Sequence, residues 1–194
     1  LHGRTVVQAY SGAADWDGVR SVGYVMIRPN VAFMLACACA LSLAQGPAPV
    51  NLDFKASALG ASPAGWMVPA ASKGFPAQVT DLCSKPGNRR CAVLYSQKAE
   101  SSAGFGNLMQ VVKAADYRGR QVTYKASVRV EAGSSGRAAL WLRVDRPNQQ
   151  MGFFDNMGDR PIVSANWATY EIKGEVAPDA EGIAFGVMLI GGEG

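Results

Sequence analysis

Apolar and polar residues alternate most regularly along residues 121–131, where Val122, Tyr124, Ala126, Val128 and Val130 form one set and Gln121, Thr123, Lys125, Ser127, Arg129 and Glu131 the other. Successive side chains of a strand point to opposite faces, so this period of two predicts a half-buried strand. The same reading predicts strands over residues 92–96, 105–112, 139–144 and 169–176. In residues 105–112, Leu108, Gln110 and Val112 share a face; in 169–176, Tyr170 and Ile172 point inward. Residues 183–190 are continuously apolar, the pattern of a central strand buried on both faces. Residues 51–54 are a short edge-strand candidate, and residues 62–74 read as an irregular loop around a buried Trp66. Turn sequences at 116–119, 133–136 and 178–182 separate these runs. Nothing after residue 45 sustains a helical period. The expected fold is all-β, an antiparallel β-sandwich of about eight short strands. The 22 glycines and 10 prolines agree with a chain rich in turns.

The segment 139–162 holds the candidate chemistry. Leu140, Leu142 and Val144 read as core, which puts Trp141, Arg143 and Asp145 together on the opposite face. An indole beside an arginine and an aspartate is an unusual composition for a merely solvated face. If strands 121–131 and 139–145 are neighbours, Lys125 and Arg129 join them. Phe153, Asp155, Asn156, Asp159 and Arg160 follow on the next loop and would form a rim. Sugar recognition needs such a set: an aromatic face for C–H surfaces, and planar bidentate groups for hydroxyls. The competing reading closes that loop over Trp141 and pairs Arg143 or Arg160 with Asp155. Trp66 and Trp167 read as core or turn anchors. Asp155 and Asp159 could be paired for glycoside hydrolysis, but two nearby arginines would keep both ionised.

The N-terminal part changes the picture. Residues 26–30 form a short basic stretch, residues 31–43 an apolar run, and Ser42-Leu43-Ala44 a small-residue cleavage pattern ahead of Gln45. Together they predict a secretory signal peptide over residues 26–44. A buried helix is the alternative, and a lipoprotein signal at Cys37 is the weaker one. The run is short for a bilayer span, so no membrane span is expected once the signal is removed. Residues 1–25 precede the signal's own methionine and read as upstream leader, or as an extension of unknown role. The domain proper is residues 45–194. His2 is the sole histidine of the chain. After cleavage, Ser/His, Cys/His and His-ligated metal arrangements are excluded.

Cys37 and Cys39 fall in the signal, while Cys83 and Cys91 flank a strong turn sequence. In a secreted chain that pair most simply forms a disulfide, and two thiolates without histidine make a poor zinc site. The net charge of +4 is mild and its cations are scattered, with only Arg89 and Arg90 adjacent, unlike the basic stripe of a nucleic-acid binder.

Several segments carry a resemblance as an ordered set: Gly104-Phe105-Gly106-Asn107-Leu108-Met109-Gln110, Asp116-Tyr117-Arg118-Gly119-Arg120, Leu140-Trp141-Leu142-Arg143-Val144-Asp145, Phe154-Asp155-Asn156-Met157 with Asp159-Arg160-Pro161-Ile162, Asn166-Trp167-Ala168-Thr169-Tyr170, and residues 183–189. Together they resemble a bacterial family of galactose-binding-like jelly-roll domains similar to carbohydrate-binding modules. Its members occur alone in secreted proteins or fused to peptidases, esterases or regulators. The resemblance implies a jelly roll that binds rather than reacts. It also implies a closing strand with a Trp and paired acidic residues, which this chain lacks, as does its abrupt end after residues 183–190. The fold is therefore expected without its last strand, and a structural calcium using those acids has no support.

These readings converge on a secreted or periplasmic, non-catalytic module that needs no cofactor or metal and binds carbohydrate or serves a larger enzyme. Trp141, Arg143, Asp145, Lys125, Arg129, Asp155, Asn156 and Arg160 are its candidate ligand-binding residues. The alternative is a structural or protein-interaction domain of the cell envelope with no small ligand.

Overall fold

The computed structural model describes residues 46–83, 90–97 and 104–191, together with the backbone of residues 6–10. Nine strands are present among them: β1 (Val6–Tyr10), β2 (Ala77–Thr80), β3 (Cys91–Tyr95), β4 (Phe105–Lys113), β5 (Gln121–Val130), β6 (Arg137–Asp145), β7 (Met151–Asp155), β8 (Ala168–Glu175) and β9 (Gly182–Ile190). They form two sheets, one in the order β2-β3-β1-β5-β8 and the other β4-β9-β6-β7. Every strand pairing in them is antiparallel. The fold is an antiparallel β-sandwich, as the alternation predicts, with the jelly-roll form that the resemblance implies.

The core lies between the sheets. Leu108 and Val112 of β4, Leu140, Leu142 and Val144 of β6, and Ile183, Phe185, Val187 and Leu189 of β9 meet Val122, Tyr124, Ala126, Val128, Val130 and Ile172 from the other sheet. Phe185 ties the layers together, its ring 5.0 Å from Tyr124 and 5.9 Å, edge-on, from Trp66. Such pairs add attraction beyond the area they bury. β9 lies between β4 and β6 along its whole length and is buried on both faces.

Two local expectations are corrected. Residues 51–54 are a turn, with left-handed backbone at Asn51 (φ 49°) and Phe54 (φ 59°). The Asn51 amide holds that turn: Oδ1 accepts from the Ala56 N–H at 3.0 Å, and Nδ2 donates to Ser57 Oγ at 3.0 Å and Ala64 O at 2.9 Å. An asparagine that tolerates left-handed backbone and bonds locally outcompetes a short strand. The short strands β2 and β7 lie where none was expected. Within the segment read as leader or as an extension, residues 6–10 form β1, which sits in the middle of its sheet between β3 and β5. The signal segment 26–44 and any closing strand beyond β9 lie outside the described residues.

The loop ahead of β2 is held to the β4 edge by Gln110, whose Nε2 donates to Val50 O at 2.7 Å and whose Oε1 accepts from Val50 N at 3.1 Å. Trp66 is buried, as expected of a core anchor, and its Nε1 donates to Asn51 O at 3.2 Å. Cys83 and Cys91 form the expected disulfide. Trp167, half-buried beside it, donates from Nε1 to Cys83 O at 2.7 Å. The bridge closes a loop with a sequence separation of 8. Loop-closure entropy then predicts that Cys83→Ala/Cys91→Ala lowers stability by about 2–3 kcal/mol. Urea unfolding of the variant against the oxidised chain checks this.

Candidate functional site

β6 supplies the centre of the site. Its even-numbered residues enter the core, and Ala139, Trp141, Arg143 and Asp145 lie on the outer face of the sheet. Register fixes their neighbours. Trp141 lies level with Gly186 of β9, which lies level with Met109 of β4. Arg143 lies level with Ala184 on one side and Phe154 of β7 on the other. Asp145 lies level with Gly182 and, across a bulge, Met151. Gly182, Ala184 and Gly186 are small and themselves buried, covered by the larger side chains that flank them.

Trp141 is where the expectation fails. The indole is on the predicted face but is only 6 % exposed. Its Nε1 donates to Asn107 Oδ1 of β4 at 2.9 Å. Since β9 separates β6 from β4, this bond reaches across β9, past the missing side chain of Gly186. A Cβ at Gly186 would lie 2.3 Å from Leu108 O, so β4 and β9 approach too closely for any other residue. Trp141 thus packs down onto the sheet and is no stacking platform.

Arg143 and Asp145 remain half-exposed beside it. Arg143 Nη2 donates to Asp145 Oδ2 at 3.1 Å. Nε lies 2.8 Å from Asp145 Oδ1, but its N–H is not directed at that oxygen and has no hydrogen-bond partner although it is buried. The contact is therefore an ion pair with a single aligned hydrogen bond. A pair this open to water contributes under about 1 kcal/mol.

Two aromatic residues of this face meet solvent: Phe154, 50 % exposed and level with Arg143, and Phe105 of β4, 41 % exposed. Phe153, expected on the rim, instead turns inward and packs on the core. The two adjacent residues of a strand cannot share a face, and without β7 recognised as a strand nothing showed which one points out. Asn107 and Met109 were likewise not singled out, because their link to Trp141 depends on β9 lying between β4 and β6.

Lys125 and Arg129 do not join the face. β5 belongs to the opposite sheet, so these residues lie on the far side of the molecule. There Lys125 pairs with Glu171 at 3.4 Å, and Arg129 pairs with Glu131 at 3.4 Å and lies 5.8 Å over the Trp167 ring. Adjacency in sequence favours a β5–β6 hairpin, but the chain crosses from one sheet to the other between them.

Asp155, Asn156 and Arg160 build the turn after β7. Asp155 Oδ1 accepts from the Met157 N–H at 2.8 Å, and Asn156 Oδ1 accepts from the Gly158 N–H at 3.1 Å. Arg160 donates to Asp155 and, at 2.7 Å, to Asp159. Asp155 lies level with Leu142, on the other face from Arg143. One guanidinium thus holds both carboxylates, where glycoside hydrolysis needs one of a pair protonated. Among the described residues no group of three or more His, Cys, Asp or Glu could hold a metal ion, and no helix is long and apolar enough to cross a membrane.

Partial burial pushes the Asp155 carboxyl up, but the Arg160 hydrogen bond, the Met157 N–H and the Arg160 charge together outweigh it and hold the group below the usual carboxylate range. A carboxyl more acidic when folded stabilises the fold above its unfolded value, near pH 3.9, and that contribution is lost as pH falls through the folded value. Arg160→Gln should move Asp155 back toward the ordinary range. Following the Asp155 carboxyl carbon by NMR titration in both chains checks the direction.

No family model matches the sequence. The chain is 34% identical over 99 residues, 50% of its length, to a curated relative described as the uncharacterized HTH-type transcriptional regulator YbfP of Bacillus subtilis (strain 168). That match spans 33% of the relative, so the chain corresponds to about a third of it. Among solved structures it is similar to the C-terminal family 22 carbohydrate binding module of Clostridium thermocellum Xyn10B, with a TM-score of 0.50 at 10% identity, covering 72% of this chain and 87% of that one. The CBM22-1 xylan-binding domain of Paenibacillus barcinonensis Xyn10C is also similar, with a TM-score of 0.44 at 13% identity over 68% of this chain and 85% of that one. The chain folds as an antiparallel jelly-roll sandwich, the fold it shares with the family 22 module of Xyn10B.

Proposed function

We propose that this chain is a non-catalytic module that binds carbohydrate on the outer face of the β4-β9-β6-β7 sheet. The observation that carries the reading is Phe154, an exposed ring level with the half-exposed Arg143. The ring offers a face for sugar C–H surface, and Arg143 with Asp145 offers hydrogen-bonding groups for hydroxyls. The similarity to carbohydrate-binding modules supports the reading through fold alone. Export fits the disulfide, which forms and persists in oxidising compartments, and removal of residues 26–44 would accompany it.

A second reading is an interaction domain within a larger protein. The match to part of a transcriptional regulator favours it.

Retardation in native gels containing soluble polysaccharides, including xylan, separates the two. The intact chain should be retarded by at least one polysaccharide. Phe154→Ala and Arg143→Ala should each weaken that retardation about tenfold, the scale of one stacking contact or one charge-assisted bond lost. Trp141→Phe should leave it unchanged, while costing about 1–2 kcal/mol of stability because buried Asn107 loses its donor. Unretarded wild type across the panel, or full binding by Phe154→Ala, overturns the proposal.

A further inference from the structure

β1 has an unusual place for a strand so far from the rest of the body. It lies inside a five-stranded sheet, and β3 and β5 each pair with β1 and not with one another. Val6, Val7, Gln8 and Ala9 lie opposite Tyr95, Leu94, Val93 and Ala92. Val7, Gln8, Ala9 and Tyr10 lie opposite Val130, Arg129, Val128 and Ser127. Without β1 the sheet divides into β2-β3 and β5-β8, each with an open edge. An edge of unpaired N–H and C=O groups is a template for another strand.

The slot accepts an extended backbone at a fixed register. Its core side is apolar, because Leu94, Ala92, Val128 and Val130, the register partners of positions 7 and 9, are all buried. An alternating segment such as Val7-Gln8-Ala9 suits it, and main-chain hydrogen bonds supply most of the recognition. The covalent link does not select the donor. Residues 11–45 join Tyr10 to Gly46, a tether whose extended reach is on the order of 100 Å, several times the width of the domain. Processing ahead of Gln45 would separate the strand from the body altogether.

We propose that β1 is an exchangeable strand: the slot between β3 and β5 takes residues 6–10 of its own chain or of a second copy, and so links two copies by strand exchange. In trans exchange each copy contributes its β1 to the other's sheet, and every pairing of the monomer is kept, so the interface needs no new surface. The balance is one of concentration. A connection of this length holds its strand at an effective concentration on the order of 1 mM or below. Exchanged dimers should therefore be a minor species at low concentration and increase with it.

The experiment uses the full chain, unfolded with its disulfide intact and refolded at about 10 and about 100 µM. Native mass spectrometry after dilution should show a dimer share roughly tenfold larger from the more concentrated sample. A second measurement names the strand. Gln8 and Arg129 face each other across β1 and β5, at a backbone separation compatible with a disulfide. A chain carrying both Gln8→Cys and Arg129→Cys should crosslink within itself. Chains carrying one substitution each, refolded together, should give a dimer whose 8–129 link is identified by peptide mapping. Crosslinking within the double variant but never between the single ones overturns exchange. Absence of the link in both overturns the placement of β1 in the slot. If neither variant folds, a wild type that stays monomeric at both concentrations overturns the proposal.

Discussion

The hydrogen bond from Trp141 Nε1 to Asn107 Oδ1 decides what the outer face can be. It joins the two strands flanking β9, so it needs a low middle strand, and Gly186 provides one. With the indole fixed there, the largest aromatic surface of the segment is removed from solvent. What stays available is smaller: the exposed rings of Phe154 and Phe105 and the ion pair of Arg143 with Asp145. The recognition proposed for this face therefore rests on those rings and one charged pair.

The two outer faces of the sandwich differ in a way that bears on where a ligand would go. On the β2-β3-β1-β5-β8 sheet, Glu171 lies within ion-pair distance of both Lys125 and Lys173, and Glu131 of Arg129. The half-buried Trp167 is anchored through its Nε1 to the backbone of the disulfide-bonded Cys83. Lys125, Lys173 and Arg129 there each have an opposite charge in reach, and a ligand would have to displace those contacts. On the β4-β9-β6-β7 sheet, Arg143 makes a single aligned hydrogen bond, to Asp145, and Phe154 is half in solvent. The second face has more to gain from a partner.

How much of this was legible in the sequence follows from the range of each signal. Alternation is local, so it placed Leu140, Leu142 and Val144 against Trp141, Arg143 and Asp145 correctly, and it marked residues 183–190 as a buried central strand. The disulfide was legible because its two cysteines flank a turn-forming sequence. Sheet membership is not local. Strands 121–130 and 137–145 follow one another, and nothing in their patterns says that the chain changes sheet between them, so Lys125 and Arg129 were grouped with the wrong face. Burial of a side chain on an outer face is also non-local: Trp141 is covered because Asn107 and Gly186 come from other strands. Phe153 and Phe154 show the smallest failure, a shift of one position, which is enough to exchange core for solvent.

β1 brings the local and non-local arguments together. Its alternation is short, and nothing near it in sequence marks it as part of the sandwich. Yet the slot that receives it is defined by strands whose patterns are clear, β3 and β5. A sheet assembled in this order has two well-specified edges waiting for a fifth strand. Closure of a long loop costs only slowly more as the loop lengthens, so a distant segment pays little extra to reach them. The same weak dependence means that the tether confers little preference for its own chain over another at high concentration. A sandwich closed by a remote strand therefore has its specificity in the slot and not in the connection.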